Sequence, residues 1–154
     1  MRQACTLAEL PPADAALARA AQRAARRAYA PYSQYHVGAA LRSRSGRVFR
    51  GCNVENAAYG VVLCAEVGAL AAAELAGAGD ALEVIAVTGR PALGAAPAAV
   101  VTPCGRCRQL LLEAAQRAGG DIRVLCCNHD LSRIEVLSVT RLLPRGFGPR
   151  QLGR

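Results

Sequence analysis

Two thiols three residues apart, Cys104 and Cys107, stand in the run Thr102-Pro103-Cys104-Gly105-Arg106-Cys107. The run predicts a helix start, with the Thr102 hydroxyl as cap and Pro103 at the first helical position. Both sulfurs then meet the positive end of the helix, where free amides and the macrodipole favour thiolate, the form that binds metal. Such a pair by itself fits a redox dithiol as well as a metal site. Cys64-Ala65-Glu66 supplies a third thiol near the start of a second expected helix. Two parallel strand-to-helix turns would bring these helix starts to one sheet edge, so that three thiolates converge. A structural zinc site is closed by four protein ligands, whereas three leave a place for water. No fourth cysteine or histidine stands at motif spacing, although Cys52, Cys126 and Cys127 are further thiols a fold can bring near. Glu66 lies two residues beyond Cys64, where its carboxylate can stand beside a metal-activated water without displacing a ligand. That is the place of a general base; a solvent-facing glutamate in a helical first turn is the plainer alternative.

The elements that must hold these residues follow from periodicity. Residues 13–29 are alanine-rich with Leu17, Ala21, Ala24 and Ala28 at helical spacing, and Pro31-Tyr32-Ser33 stops them. Residues 37–41 and 48–54 read as strands of a hairpin turned at Gly46, residues 62–76 as a helix and 82–88 as a buried strand. After a loop at 90–97, residues 98–101 read as another strand, 103–118 as a third helix and 122–126 as a further strand. Residues 134–139 are a strand or helix candidate, and a glycine-rich tail opens at Leu143-Pro144. The alternation predicts an α/β fold with helices layered on a mixed sheet of about five strands.

A chain of 154 residues with 53% hydrophobic content suffices for one domain with its own core. Glu66 and Glu74 interrupt the longest alanine-rich stretch, which argues against a membrane span, and the first residues carry no export signal. Seven cysteines without such a signal suit metal or core roles rather than a disulfide framework. The net charge of +8 comes from arginine alone, with no lysine, and its scatter argues against nucleic acid as principal partner.

Cys64-Ala65-Glu66 followed by Pro103-Cys104-Gly105-Arg106-Cys107 resembles the zinc-dependent cytidine deaminase family. The resemblance continues through Tyr29-Ala30-Pro31-Tyr32-Ser33, Val37-Gly38-Ala39-Ala40-Leu41, Gly51-Cys52-Asn53-Val54-Glu55-Asn56-Ala57, Cys107-Arg108-Gln109 and Leu142-Leu143-Pro144, spanning residues 15–152. These segments, in that order, are similar to the small free-nucleoside branch. The resemblance implies a three-layer α/β/α sandwich and a cytoplasmic homotetramer in pyrimidine salvage, converting cytidine or 2′-deoxycytidine to the uridine counterpart and ammonia. It implies zinc on Cys64, Cys104 and Cys107, with Glu66 as proton shuttle. Asn53 and Glu55 would meet the ribose, Tyr35 the base, Ala65 would be a further substrate contact, and Ala58, Tyr59 and Phe147 would complete sites across subunit boundaries. An amide and a carboxylate can exchange several hydrogen bonds with sugar hydroxyls, and an aromatic face suits a planar pyrimidine.

Two positions depart from the family. Tyr35 stands where a phenylalanine is usual, and Val67 where an arginine commonly offsets the thiolates. Arg106 is the candidate substitute for that charge, because three thiolates on a divalent ion leave net negative charge that opposes ionisation of water. His36 and His129, the only histidines, lie outside any His-x-Glu arrangement and read as structural. The departures leave open a deaminase of modified or antibiotic cytosine nucleosides, and the thiols alone leave open a nonenzymatic zinc or redox module.

Overall fold

A computed structural model describes residues 4–153. Its sheet has six strands in the order β1-β6-β5-β4-β2-β3. They are β1 (Ala4–Cys5), β2 (Tyr35–Ser43), β3 (Val48–Cys52), β4 (Leu82–Pro91), β5 (Arg123–Cys127) and β6 (Ile134–Ser138). The sheet is mixed: β4 and β5 pair in parallel, and every other pairing is antiparallel. Both β3 and β4 are antiparallel to β2 between them, so they run in the same direction.

Helix α1 (Pro12–Ala25) covers one face, burying Leu17, Ala18 and Ala21 against Ala40, Val84, Ala86 and Leu125. Helices α2 (Ala65–Leu75) and α3 (Gly105–Arg117) cover the other, where Ala65, Ala69, Leu111 and Ala115 pack on Ala39, Ile85, Val87 and Val124. The result is the expected three layers. Alternation along each strand sends successive side chains to opposite helices, which is why nearly every residue from Gly38 to Leu41 and from Val84 to Thr88 is buried.

Alanine and glycine let the layers approach closely. A Cβ on Gly51 would lie 2.1 Å from the Ala65 carbonyl oxygen of α2, and one on Gly38 would lie 2.1 Å from the Ala21 carbonyl oxygen of α1. Backbone therefore rests on backbone at both faces. The buried Asp14 pins α1 to the sheet, its Oδ1 and Oδ2 each 2.8 Å from guanidinium nitrogens of Arg42 and Arg123 respectively.

Several boundaries differ from expectation. The segment 98–101 is not a strand, and its Val101 amide meets only the Cys127 carbonyl at 3.1 Å. Each side of β4 and β5 is already occupied by a neighbouring strand, so no ladder is open to it. Residues 134–138 are a strand, followed by the short helix α4 (Val139–Leu142). Strand β1 was not foreseen, since two residues carry no period. The second and third helices begin later than expected: α2 at Ala65, because a 3₁₀ turn at Tyr59–Val61 and a Val54–Leu63 bridge occupy the chain before it. Helix α3 begins at Gly105, so Thr102 is not its cap and Pro103 is not its first residue.

Candidate metal centre and active site

Helices α2 and α3 follow strands β3 and β4, which point the same way, so both helices start at one edge of the sheet. Cys64 caps α2 and Cys104 caps α3, each with extended backbone, while Cys107 stands one turn into α3. The shift of the cap from Thr102 to Cys104 places one sulfur at each helix mouth, where unpaired amides gather. The three sulfurs lie within 4.8 Å of one another. Cys64 and Cys104 are 3.8 Å apart, Sγ to Sγ. Tetrahedral zinc with sulfur at about 2.3 Å requires sulfurs separated by about 3.8 Å, so the donor set fits that ion in both type and spacing. Cys52, Cys126 and Cys127 do not join the cluster.

Electrostatics grade the three thiols. Burial opposes ionisation of Cys104, but the Cys107 amide and neighbouring thiols outweigh it and hold its pKa below the usual thiol value. Burial pushes the Cys64 thiol up, with Cys104 and Glu66 adding to the shift. Cys107, fully buried, is pushed up further by desolvation and then by Glu66. A cation among the sulfurs offsets this repulsion and favours the thiolate forms over the protonated thiols. Glu66 is 3% exposed, and burial raises its pKa, opposed by its own amide and the Cys107 thiol. It is not the solvent-facing first-turn glutamate of the plainer alternative.

These groups open into a cavity of about 320 Å³ walled by Tyr35, Asn53, Val62 and Thr102, with Ala65 and Glu66 at its floor. A second cavity of about 340 Å³, holding Glu55, Tyr32 and Tyr59, shares Ser33 and Val62 with the first. The two are lobes of one cleft. The Glu55 carboxylate accepts the Tyr32 and Ser33 amides at 2.9 and 3.2 Å on a single oxygen. The Ser33 hydroxyl foremost, with those amides, lowers its pKa. Asn53 is nearly buried: its Oδ1 accepts the Val37 amide at 2.8 Å and its Nδ2 donates to the Tyr35 carbonyl at 2.9 Å. One Nδ2 hydrogen remains for a ligand. Tyr35 lies over Gly89, where any Cβ would meet its ring at 2.9 Å.

Tyr59 is exposed and meets Tyr32 edge-on at 5.7 Å. Ala58 and Phe147 line neither lobe; Phe147 sits on the outer side of α3, where its carbonyl accepts from Gln109 at 2.7 Å. Arg106 is exposed and donates to the Val62 carbonyl at 3.1 Å, tying the start of α3 to the segment before Cys64 rather than bonding a sulfur. Ser33 and Val62 are cleft residues that spacing alone did not single out, and Thr102, expected as a helix cap, lines the cleft instead. Arg108 was quoted only as part of a motif, yet it fixes the approach to Cys104. Its guanidinium donates to the Pro103 carbonyl at 2.8 Å, the Leu142 carbonyl at 3.1 Å and the Thr102 hydroxyl at 3.4 Å.

Comparison with known proteins agrees with this architecture. Residues 11–118 match the family model for the cytidine and deoxycytidylate deaminase zinc-binding region. The chain is 47% identical over 93 residues to a cytidine deaminase of Mycobacterium tuberculosis, a match covering 60% of this chain and 65% of that protein. It is 42% identical over 122 residues to a cytidine deaminase of Halalkalibacterium halodurans, covering 78% and 83% respectively. The crystal structure of cytidine deaminase from Burkholderia pseudomallei superposes with a TM-score of 0.75 at 41% identity, over 86% of this chain and 97% of that one. A donor set spaced for zinc, a buried carboxylate beside it and these matches together place the chain in the cytidine and deoxycytidylate deaminase family.

Proposed function

We propose that this chain acts as one catalytic domain that hydrolyses the exocyclic amine of cytidine and 2′-deoxycytidine, releasing ammonia and the uridine counterpart. The observation that carries this reading is Glu66, a buried carboxylate set beside three zinc-spaced thiols at the floor of a cleft whose other lobe holds a second carboxylate. Zinc held by Cys64, Cys104 and Cys107 would supply the Lewis acidity that makes water nucleophilic near neutral pH. Glu66 takes a proton from the attacking water and delivers it to ring nitrogen N3 as the C4–O bond forms. It then carries the second proton to the 4-amino nitrogen, and the C4–N bond breaks with loss of ammonia. The burial that raises the Glu66 pKa is what lets one carboxylate both accept and return a proton.

Tyr35 lies along the pyrimidine, and the sugar reaches from the first lobe, where the spare Asn53 N–H donates, towards the second, where the Glu55 carboxylate accepts. A bare cytosine leaves both groups unpaired, so it is rejected. Tyr32 and Tyr59 form an exposed aromatic rim on that lobe, and Tyr29, Val54, Val61 and Leu63 in the adjoining stretches of chain are exposed as well. A homotetramer burying this rim, with Ala58, Tyr59 and Phe147 reaching neighbouring sites, accounts for their exposure. Seven unpaired thiols suit a reducing cytoplasm, and release of uridine from cytidine would be a pyrimidine-salvage step; among the described residues no helix is long and apolar enough to cross a membrane.

The test is ammonia release from zinc-loaded protein with cytidine, 2′-deoxycytidine, 2′-deoxycytidylate, cytosine and a single-stranded oligonucleotide. The two nucleosides should turn over and the others should not. Glu66→Gln should lower turnover by about 10²–10⁴ with zinc retained. Equal turnover of wild type and variant overturns the reading.

A further inference from the structure

At the open edge of the sheet, the C-terminal end of α1 and strand β3 enclose a groove of about 570 Å³. Arg23, Arg26, Arg27 and Arg50 line it, with the half-buried Cys52 beside them and no carboxylate among the lining residues. Eight arginines elsewhere in the chain are engaged, whereas these four share one concavity and, like Arg19, Arg90, Arg141, Arg145 and Arg150, have no side-chain ion pair or hydrogen bond among the described residues. Arg42, Arg117, Arg123 and Arg133 meet carboxylates, and Arg44, Arg47, Arg106 and Arg108 meet carbonyl oxygens. Among the described residues, none of the four groove guanidiniums has an ion-pair partner. A helix C-terminus attracts cations, but its macrodipole amounts to roughly half a negative charge within the last turn. That does not balance the unit charges of four arginines lining one groove.

We propose that this groove between α1 and β3 is a second binding site, for a compact oligophosphate carried either as free tripolyphosphate or on a nucleoside 5′-triphosphate. The guanidinium fork matches pairs of phosphate oxygens, and arginine is more weakly hydrated than lysine, so it gives up less to bind them. Several charges lining one concavity call for a ligand with several charges along a short chain. The basic lining does not continue along β3 as a track for a polymer. Arg47, in the turn just before β3, reaches to the Ala76 carbonyl at 3.0 Å and covers the Phe49 ring. The site is separate from the deaminating cleft, sharing none of the residues that line either lobe.

The experiment uses full-length zinc-loaded protein with tripolyphosphate, ATP, inorganic phosphate and a short single-stranded oligodeoxynucleotide as probes. Binding is read by titration calorimetry, and Cys52 alkylation by peptide-resolved mass spectrometry. Tripolyphosphate and ATP should bind saturably, slow Cys52 alkylation and leave Cys5 alkylation unchanged. Arg27→Ala/Arg50→Ala should weaken both ligands by at least about tenfold while cytidine turnover stays at the wild-type rate, which shows the variant folded. Equal affinity for the two ligands assigns recognition to the phosphate chain alone, and about tenfold tighter ATP assigns it to the nucleotide. Absence of saturable binding by both ligands overturns the proposal. So does binding unchanged in the double variant, or an oligonucleotide that binds more tightly than tripolyphosphate and displaces it.

Discussion

Replacing Gly51 with alanine tests how the fold sets the position of the catalytic carboxylate. The new Cβ would sit 2.1 Å from the Ala65 carbonyl oxygen and 2.5 Å from the Ala69 nitrogen, both backbone atoms of α2. Carbon and oxygen ordinarily approach to about 3.3 Å, so helix and strand must part by roughly 1 Å. Ala65 lies between Cys64, which caps the helix, and Glu66, so that displacement falls on the metal ligand and the proton carrier together. Misplacement of reacting groups by about 1 Å costs on the order of 10²-fold in rate, and metal–ligand distances tolerate only about 0.2 Å. Overpacking of this kind costs about 1–3 kcal/mol of stability, or about 2–4 °C in Tm per kcal/mol for a chain of this size. Gly38→Ala is the matched control. It makes the same clash, 2.1 Å from the Ala21 carbonyl oxygen and 2.4 Å from the Ala25 nitrogen, but against α1 on the face away from the thiols. Both variants should lose comparable Tm in thermal denaturation. Only Gly51→Ala should lose about 10²-fold in kcat and bind zinc more weakly in a chelator competition assay. Equal losses of kcat in the two variants, or wild-type kcat in Gly51→Ala, refute the reasoning.

Asp14→Ala leaves the Arg42 and Arg123 guanidiniums without their buried partner and should cost about 3 kcal/mol in urea denaturation at pH 7, below the upper range because Arg123 is half exposed. Burial works against the Asp14 carboxylate, but Arg123 and Arg42 hold its folded pKa below the unfolded value. Its contribution is therefore present above the unfolded value of about 3.9 and is lost as pH falls through the lower folded value, so wild type and variant should converge in stability at strongly acid pH. Removing zinc by dialysis against a chelator should abolish turnover and expose thiols to alkylation, the exposed Cys104 ahead of the buried Cys107; identical alkylation of holo and metal-free protein contradicts the ligand assignment. Arg106→Ala removes a positive charge near the thiolates and the tether to Val62, and should raise the apparent acidic pKa of turnover. An unchanged pH–rate profile shows that Arg106 lends no charge to the site.

Much of the architecture was legible because burial imposes period. The spacing of Leu17 and Ala21 marked α1, and the apolar run that became β4 was read within three residues of its end. The run at 98–101 has equally good strand composition, yet it is irregular because β4 and β5 are each flanked on both sides. Strand propensity describes a residue's fitness for a ladder, not the availability of one. The two-residue β1 exists only because β6 offers an edge. In the cleft, Glu55 and Asn53 were named, but the split between bonds spent on the backbone and bonds left for a ligand became visible only with Tyr32, Ser33, Val37 and Tyr35 around them.

The amino-acid sequence by itself determined the chemistry on offer: three soft sulfur donors, a carboxylate two residues from one of them, and small residues where helices must lie close. Those properties belong to side-chain type and local spacing, which survive in any conformation. The tertiary structure decided which thiols meet, how deeply Glu66 is buried and where the cleft opens. Cys64 and Cys104 are brought to 3.8 Å because β3 and β4 both run antiparallel to β2 and deliver their following helices to one edge. Glu66 lies beneath solvent because Gly51 lets α2 rest backbone to backbone on the sheet. Distances of that kind arise from the packing of segments far apart in the chain, which no local pattern of residues encodes.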